Sequence, residues 1–385
     1  MDFDLTEEQR LLQDSVARLL ADRYKFEQRK AYMKTPEGWS REIWSAYAEL
    51  GLLALPFAEA EGGYGGGAEE TMIVAEQMGR ALTLEPWLPT VVLGGGFLRH
   101  GASAEQRSAL VPKIARGEML LAFAHTEAQS RYDLHDVATT AKRDGEGWVL
   151  NGRKVVVIHG DSAHRLVVTA RTAGGQRDLK GVGVFLVDAS APGVSRRGFT
   201  AVDGHRAAEV TLEGVRVGPE AVLGNPEDGL PLVDRVVDEA IAALAAEAVG
   251  AMEAVHGLTL EYLKTRKQFG RPIGSFQALQ HRAAEMMVAL EEARSMAMLG
   301  AMMAEEEDAT ERRRQMRAVK LQVGRSARFV GQQAIQLHGG IAMTMEYAAG
   351  HYFKRLTAID TMFGDAEHHL NALAAGGGLI TAAAA

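Results

Sequence analysis

Apolar positions recur along this chain with two different periods, and the change of period divides it into three zones. Over residues 1–118 the spacing is helical. Leu11, Leu12, Val16, Leu19 and Leu20 recur at helical spacing, and Thr6 with Gln9 has the form of a capping box that opens their helix. Trp39–Leu50, Glu69–Leu82 and Glu105–Ala115 continue the pattern. The run EGGYGGG, Glu61–Gly67, interrupts it. That run has neither the spacing nor the preceding strand of a phosphate-binding loop, so it reads as a turn between helices.

Over residues 119–230 the period falls to two and β-branched residues become frequent. Trp148–Ile158 reads as a hairpin turning at Asn151-Gly152, and Arg165–Arg171, Gly183–Asp188 and Glu209–Val217 read as further strands. Helical spacing returns over residues 231–385 in long segments rich in Ala and Met. There Glu305–Arg314 reads as a solvated connection between helices, and Gly376–Ala385 as a frayed end with too little to bury. Met286, Met287, Met296, Met298, Met302 and Met303 read as gap-fillers between packed helices, with the lining of an acyl tunnel as the alternative. The expected fold class is multi-domain α+β: a helical domain 1–118, a β domain 119–230 and a helical domain 231–385.

Composition narrows the partners more than the fold. The chain has 385 residues, 47% apolar and 24% charged, enough for two or three packed units of an ordinary globular protein. Its 42 basic and 50 acidic residues give a net charge of −8, with no basic tract suited to nucleic acid. The absence of cysteine excludes disulfides, catalytic thiols and thiolate metal sites, and fits a cytoplasmic compartment. MDFDLTEEQR carries acids where a signal peptide needs basic and then apolar residues, and no long uncharged apolar window suggests a membrane span.

The candidate chemistry lies in Tyr262–Gln280, YLKTRKQFGRPIGSFQALQ, and in QLHGG, Gln336–Gly340. A helical run, Ala240–Thr265, is stopped by Gly270, Pro272 and Gly274, so that a cation, an amide and an aromatic ring are presented at its end. Arg266 offers a fork of donors for phosphate or carboxylate, Phe269 a face for stacking, and Gln277 and Gln280 neutral donors and acceptors at the start of the next helix. In QLHGG two glycines follow an apolar helix, leaving backbone N–H groups uncovered.

RKQFGRPIGSFQ followed by QLHGG resembles the local signature of the acyl-CoA dehydrogenase family, and the resemblance runs from LTEEQRLL to FGDAEHHL. It implies a helical N-terminal domain, a β-barrel-like middle domain and a C-terminal four-helix bundle. It also implies that Arg266, Gln268, Phe269, Gln277, Gln336, Gly339 and Gly340, with Phe123 and Thr126 of the β zone, hold FAD, which the family binds mainly by a neighbouring subunit. The family removes a proton beside a thioester carbonyl and passes a hydride from the next carbon to the flavin, with an electron-transferring flavoprotein as acceptor. That chemistry needs a positioned carboxylate, stabilisation of the enolate and a dry site.

Here the chain departs from the family. The position matching the family's glutamate beyond the QxxGG motif falls on Phe363, or on Gly364 with one residue inserted; Asp365 is the nearest acid. The alternative position, on the helix before RxQFG, falls on Ala240, with Glu239 on another face and Glu247 about two turns on. A segment that is Thr-Glu-Pro-Gly-Ala-Gly-Ser-Asp in relatives is Thr126–Asp133, with Tyr132 in place of serine, and a Trp-Ile-Thr-Asn segment is Val156–His159, where Ile158 cannot donate to the flavin. These departures resemble most the small subunits of pimeloyl-CoA dehydrogenase, among heteromeric bacterial enzymes in which one subunit type carries the base.

Three readings stay open: a subunit that works beside a larger, base-bearing partner; a self-sufficient homo-oligomer using Asp365 or Glu247 as base; and a non-catalytic flavin-binding or assembly subunit. Arg99, Arg131 and Arg206 are the candidate cations for a second carboxylate on a dicarboxylyl substrate. His338 reads as a helix-end residue near the cofactor, and His368 and His369 as partly exposed rather than metal-ligating.

Overall fold

The computed structural model describes residues 4–378. In chain order the elements are α1 (Glu7–Arg23), α2 (Phe26–Tyr32), α3 (Arg41–Glu49), α4 (Ala68–Ala81), a π-helical segment Leu88–Gly94, α5 (Gly95–Gly101) and α6 (Ala104–Ala115). Strands β1 (Leu121–Ala124), β2 (Thr140–Asp144), β3 (Gly147–Ile158), β4 (Arg165–Arg171), β5 (Val182–Asp188), β6 (Val194–Thr200), β7 (Arg206–Val217) and β8 (Val222–Leu223) follow. The chain then continues through α7 (Leu230–Thr265), β9 (Lys267–Gln268), β10 (Arg271–Pro272), α8 (Gln277–Ala304), α9 (Ala309–His338), α10 (Ala348–Thr361) and α11 (Ala366–Ala375). Helical, then β, then helical is the order that periodicity predicts, in a mixed α+β chain.

By contact the chain forms two compact units, residues 1–31, 68–83 and 241–385, and residues 32–67 and 84–240. In the first, α9 packs against α8, α10 and α11, while α4 packs against α1 and α8. The Thr6–Gln9 capping box is present in both directions. Gly79 and Gly250 lie at the crossing of α4 and α7, where a Cβ on either would strike a backbone carbonyl of the other helix; glycine sets that close approach. Of the methionines read as core fillers, Met286 is fully buried, Met287 is 43% exposed because it faces away from the packed side of α8, and the other four are half-buried. Met298 and Met302 line a cavity of about 210 Å³ with Met72 and Ile73, walled also by Glu69 and Glu76.

In the second unit one sheet has the order β6-β7-β3-β2-β4-β5-β8, with β1 added in parallel to β4. Ala141, Leu150, Val168, Phe185 and Val210, from five different strands, meet in a single core cluster. The hairpin expected at Asn151-Gly152 is absent. Trp148–Ile158 lies within one strand, and the chain instead turns between the paired residues Asp144 and Gly147. Asn151-Gly152 forms an irregularity in the ladder with β7, where Gly152 presses on Thr139 too closely for a side chain and Asn151 Oδ1 accepts the Gly214 N–H at 2.8 Å. Asn151-Gly152 thus continues the strand, and the extra residue of the irregularity lies in β7, where Glu213 and Gly214 stand opposite Asn151.

Helix α7 is long and apolar enough by composition to cross a membrane, yet most of its apolar window is buried inside the protein, as in a core helix. The frayed end expected at Gly376–Ala385 lies outside the described residues from 379 onward.

Candidate functional site

The two motifs come together at one end of the first unit. Helix α7 stops at Thr265, and β9 and β10 form a minimal hairpin whose turn is Phe269-Gly270, with φ of 55° and 76°. Positive φ at both central residues is the turn geometry that suits short hairpins, and glycine supplies it freely at the second place. Phe269 itself is 91% exposed. Helix α8 then opens at Gln277 with no side-chain cap, the Leu279 N–H being bonded back to the Phe276 carbonyl at 3.0 Å.

Helices α8 and α9 are packed so that Arg282, near the start of α8, donates to Gln333 near the end of α9 at 2.9 Å. Gln277 and Gln336 therefore share one end of the helix pair. Beyond them α9 ends at Gly339, with φ 65°, and a Cβ on Gly339 or Gly340 would meet nothing within 4 Å. Arg266, Gln268, Gln336, Gly339 and Gly340 are all exposed. Arg266 has no ion pair among the described residues.

This surface fits the FAD that the resemblance implies. A cation without a carboxylate partner, an uncapped helix start and glycine N–H groups are what a diphosphate needs, and a bare aromatic face is what a ring system needs.

Phe123 and Thr126 belong to the other unit. Phe123 is buried on β1, its ring 4.7 Å from that of Phe97 and stacked at 5.3 Å on His125. Thr126 is half-buried, and its carbonyl accepts the Val155 N–H at 2.8 Å. Behind it lies a polar cluster that sequence reading missed. Lys154, fully buried, donates to Glu127 Oε1 at 2.7 Å, to the His125 carbonyl at 3.2 Å and to Thr169 Oγ1 at 3.2 Å. Thr169, accepting from lysine, has its hydrogen free to donate to His125 Nδ1 at 2.9 Å. Both residues flanking Thr126 are thus tied to one ammonium.

Burial, its largest influence, pulls the Lys154 pKa down to about 8, against the pull of Glu127. Burial opposes ionisation of Glu127 as well, but the charge and hydrogen bond of Lys154, with bonds from Gln129 and Thr139, bring it down to about 2. Burial and Lys154 push His125 to about 3, so its ring is neutral. One signal was available in the sequence: Lys154 occupies a strand position whose neighbours in the same phase, Trp148 and Leu150, point inward.

The candidate bases are both engaged elsewhere. Glu247, on α7, is gripped through both oxygens by Arg355 of α10 at 2.6 and 2.8 Å. Asp365 is the N-cap of α11 and accepts the His368 N–H at 2.8 Å. Glu239 accepts from Arg99 at 2.5 Å and pairs with His100 at 2.6 Å; burial opposes its charge, but these partners with Arg235 bring it to about 2.

Gly364 is buried with φ 107°, a conformation that side chains rarely adopt, and an added Cβ would lie 2.6 Å from His369 Nε2 and 2.7 Å from His368 Cδ2. Its carbonyl is one of three, with Ile359 and Asp360, that accept from the buried Lys320 ammonium at 2.8–2.9 Å. His369 is not partly exposed as expected: α11 carries it inward, where it is 3% exposed and its Nε2 lies 3.0 Å from the Phe363 carbonyl. Of the three candidate cations, Arg99 is paired with Glu239 and Arg206 with Asp161, while Arg131 is exposed with no carboxylate partner among the described residues.

Compared with known proteins, the chain matches three successive family models end to end. Residues 6–118 match the acyl-CoA dehydrogenase N-terminal domain, 122–215 the middle domain and 227–378 the C-terminal domain. It is 30% identical to the probable acyl-CoA dehydrogenase YngJ of Bacillus subtilis over 90% of this chain and 92% of that one. It is 29% identical to the acryloyl-CoA reductase (NADH) of Anaerotignum propionicum over 96% and 94%. Among solved structures it is similar to a variant described as the Tcur3481-Tcur3483 steroid ACAD, with TM-score 0.87 and 30% identity over 96% of this chain and 97% of that one.

Proposed function

This chain belongs to the acyl-CoA dehydrogenase family, and on that footing we propose that it is the FAD-binding, base-poor subunit of a heteromeric acyl-CoA dehydrogenase whose carboxylate base comes from a larger partner subunit. When bound, FAD supplies the hydride acceptor for α,β-dehydrogenation of an acyl-CoA thioester. Arg266 and the start of α8 neutralise its diphosphate, Phe269 stacks against it, and Gln277, Gln336, Gly339 and Gly340 supply neutral hydrogen bonds. The resemblance also assigns Phe123 and Thr126 of the other unit to flavin binding, and the Lys154 cluster steadies Thr126.

One observation carries the partner requirement. Gly364 is closed to any side chain by its φ of 107° and by His368 and His369, and Glu247 and Asp365 are committed to Arg355 and to a helix cap. A general base needs a lone pair within reach of the substrate carbon, and both carboxylates instead hold structural partners. In this reading the functional parts follow residues 1–118, 119–230 and 231–385, and electrons leave to an electron-transferring flavoprotein.

The substrate proposed is a dicarboxylyl-CoA such as pimeloyl-CoA, with Arg131 the candidate cation for its far carboxylate. The similar structure described as a steroid ACAD favours a ring-bearing acyl group as the second reading.

Expression of the chain alone and with a longer acyl-CoA dehydrogenase encoded beside it tests the proposal. The expected result is yellow protein that keeps its colour with pimeloyl-CoA, butyryl-CoA or a steroid-CoA until the partner is present, and then bleaches with one of them. Bleaching by the chain alone would instead establish a self-sufficient homo-oligomer, and colourless, inactive protein in both arms an assembly subunit.

A further inference from the structure

The two halves of the flavin cradle are far apart in sequence, and each is an exposed loop with little packing of its own: Phe269 is 91% and Met343 77% exposed. Something behind them must set their spacing. We infer that His338 is a positioning residue that holds the RxQFG hairpin and the QxxGG turn in register, an inference that rests on the reading of these loops as an FAD cradle.

His338 is the last residue of α9 and is 3% exposed. Its Nδ1 lies 2.8 Å from the Ala334 carbonyl, an oxygen that can only accept, so Nδ1 carries the proton. In the neutral ring Nε2 is then an acceptor, and the Tyr347 hydroxyl, 3.2 Å away, is placed to donate to it. The imidazole also touches two aromatic rings, with centroids 4.7 Å from Tyr262 at 35° and 5.0 Å from Tyr347 at 53°, and these two rings lie 6.4 Å from each other, so the three form one cluster.

These contacts reach three segments. Tyr262 closes the last turn of α7, since its carbonyl accepts the Arg266 N–H at 2.8 Å, and the Arg266 carbonyl accepts the Ile273 N–H across the base of the hairpin at 2.8 Å. Tyr347 lies at the far end of the turn that begins with Gly339. One ring therefore touches the stem of the hairpin and both ends of the glycine turn. A second brace holds the same turn: His351 Nε2 lies 3.1 Å from the Met345 carbonyl, and its Nδ1 lies 2.9 Å from Arg29 Nη1.

A side chain that only filled space would not need its ring plane set by a hydrogen bond at each nitrogen. Burial, the largest influence on His338, lowers its pKa against the Ala334 and Leu258 carbonyls, which raise it, and so favours the neutral form that this arrangement uses.

The test uses the full chain, stripped of cofactor, in two measurements: FAD titration followed by quenching of flavin fluorescence, and amide hydrogen exchange of residues 267–273 and 339–345. His338→Ala is expected to weaken FAD binding on the order of tenfold, as for a lost buried hydrogen-bond partner. It is also expected to speed exchange in both segments. His338→Gln, whose side-chain oxygen can accept from Tyr347, should recover part of both effects, and Tyr347→Phe should fall between. Faster exchange confined to 339–345, with 267–273 unchanged in His338→Ala, overturns the inference, because the residue would then act only on its own helix end. FAD failing to bind the parent chain would remove the cradle reading, and the exchange result would still decide whether His338 couples the loops.

Discussion

The Glu247 carboxylate and the Arg355 guanidinium meet edge to edge, Oε1 2.6 Å from Nε and Oε2 2.8 Å from Nη2, with the arginine 4% exposed. This two-point pairing ties α7 to α10. It also engages both oxygens of Glu247, one of the chain's two candidate bases, in parallel bonds.

Glu247→Gln should therefore behave as a stability variant. Leaving Arg355 buried without its counter-charge is expected to cost about 3–5 kcal/mol, the range for breaking a buried pair. Activity of the folded protein with its partner should fall by less than about tenfold, far short of the loss expected for a missing base. Thermal melting and steady-state kinetics on the complex check both halves.

At Gly364, one of the two positions that match the family's usual base, Gly364→Glu should not create a base. The new side chain would have to enter a φ of 107° against His368 and His369, so a loss of about 2 kcal/mol or more is expected, with no bleaching by acyl-CoA in the chain alone. Next to it, Asp365→Asn keeps a good helix cap and should change neither stability nor activity, whereas Asp365→Ala should cost about 1 kcal/mol. Denaturant midpoints and flavin absorbance separate these outcomes.

For the cradle, Arg266→Ala and Phe269→Ala should leave the melting temperature of the cofactor-free chain unchanged, because both side chains are exposed. Arg266→Ala should weaken FAD binding more than Phe269→Ala, since it removes a charge from the diphosphate. Equal or negligible effects in an FAD titration would show that the diphosphate lies elsewhere.

In the β unit, Lys154→Met would leave Glu127 buried without its cation. A loss of about 3–5 kcal/mol is expected, read as a lower denaturant midpoint. Lys154→Met combined with Glu127→Gln should be milder than the single change if the cost lies in the orphaned charge.

Acid should destabilise the fold from the histidine range downward. His125 and His369 are held neutral, each with a pKa near 3 against the usual 6.5, mainly by burial. Between those values the unfolded chain takes up protons that the folded chain refuses, so stability falls as pH falls. Each group contributes about 1.4 kcal/mol per pH unit in that window, or roughly 2 kcal/mol between pH 6.5 and 5. Urea midpoints at pH 7 and pH 5 should differ accordingly, and His125→Gln should shrink the difference.

Periodicity and turn chemistry are local properties, and what they control was legible in the sequence. The helical, β, helical order follows from spacings of three to four and of two. The Thr6–Gln9 box and the turn at Gly270 follow from backbone geometry that neighbouring residues set directly. The turn at Phe269-Gly270 and the glycine end of α9 were legible for the same reason, since they sit at helix ends and turns where sequence dictates backbone geometry directly; the FAD role of these residues came from the family resemblance instead. Asn151-Gly152 shows the limit, since a dipeptide that permits a turn does not require one; pairing with β2 and β7 carries the strand through it.

Only the tertiary structure decided which charges are available for chemistry. Glu247 and Arg355, Lys154 and Glu127, and His338 and Tyr262 are each remote in sequence, and a carboxylate, ammonium or imidazole looks the same in the sequence whether it is committed or available. Burial makes an unpaired charge too costly to keep, so each buried group had to find a partner, and those partners are fixed by packing between elements rather than by neighbours along the chain.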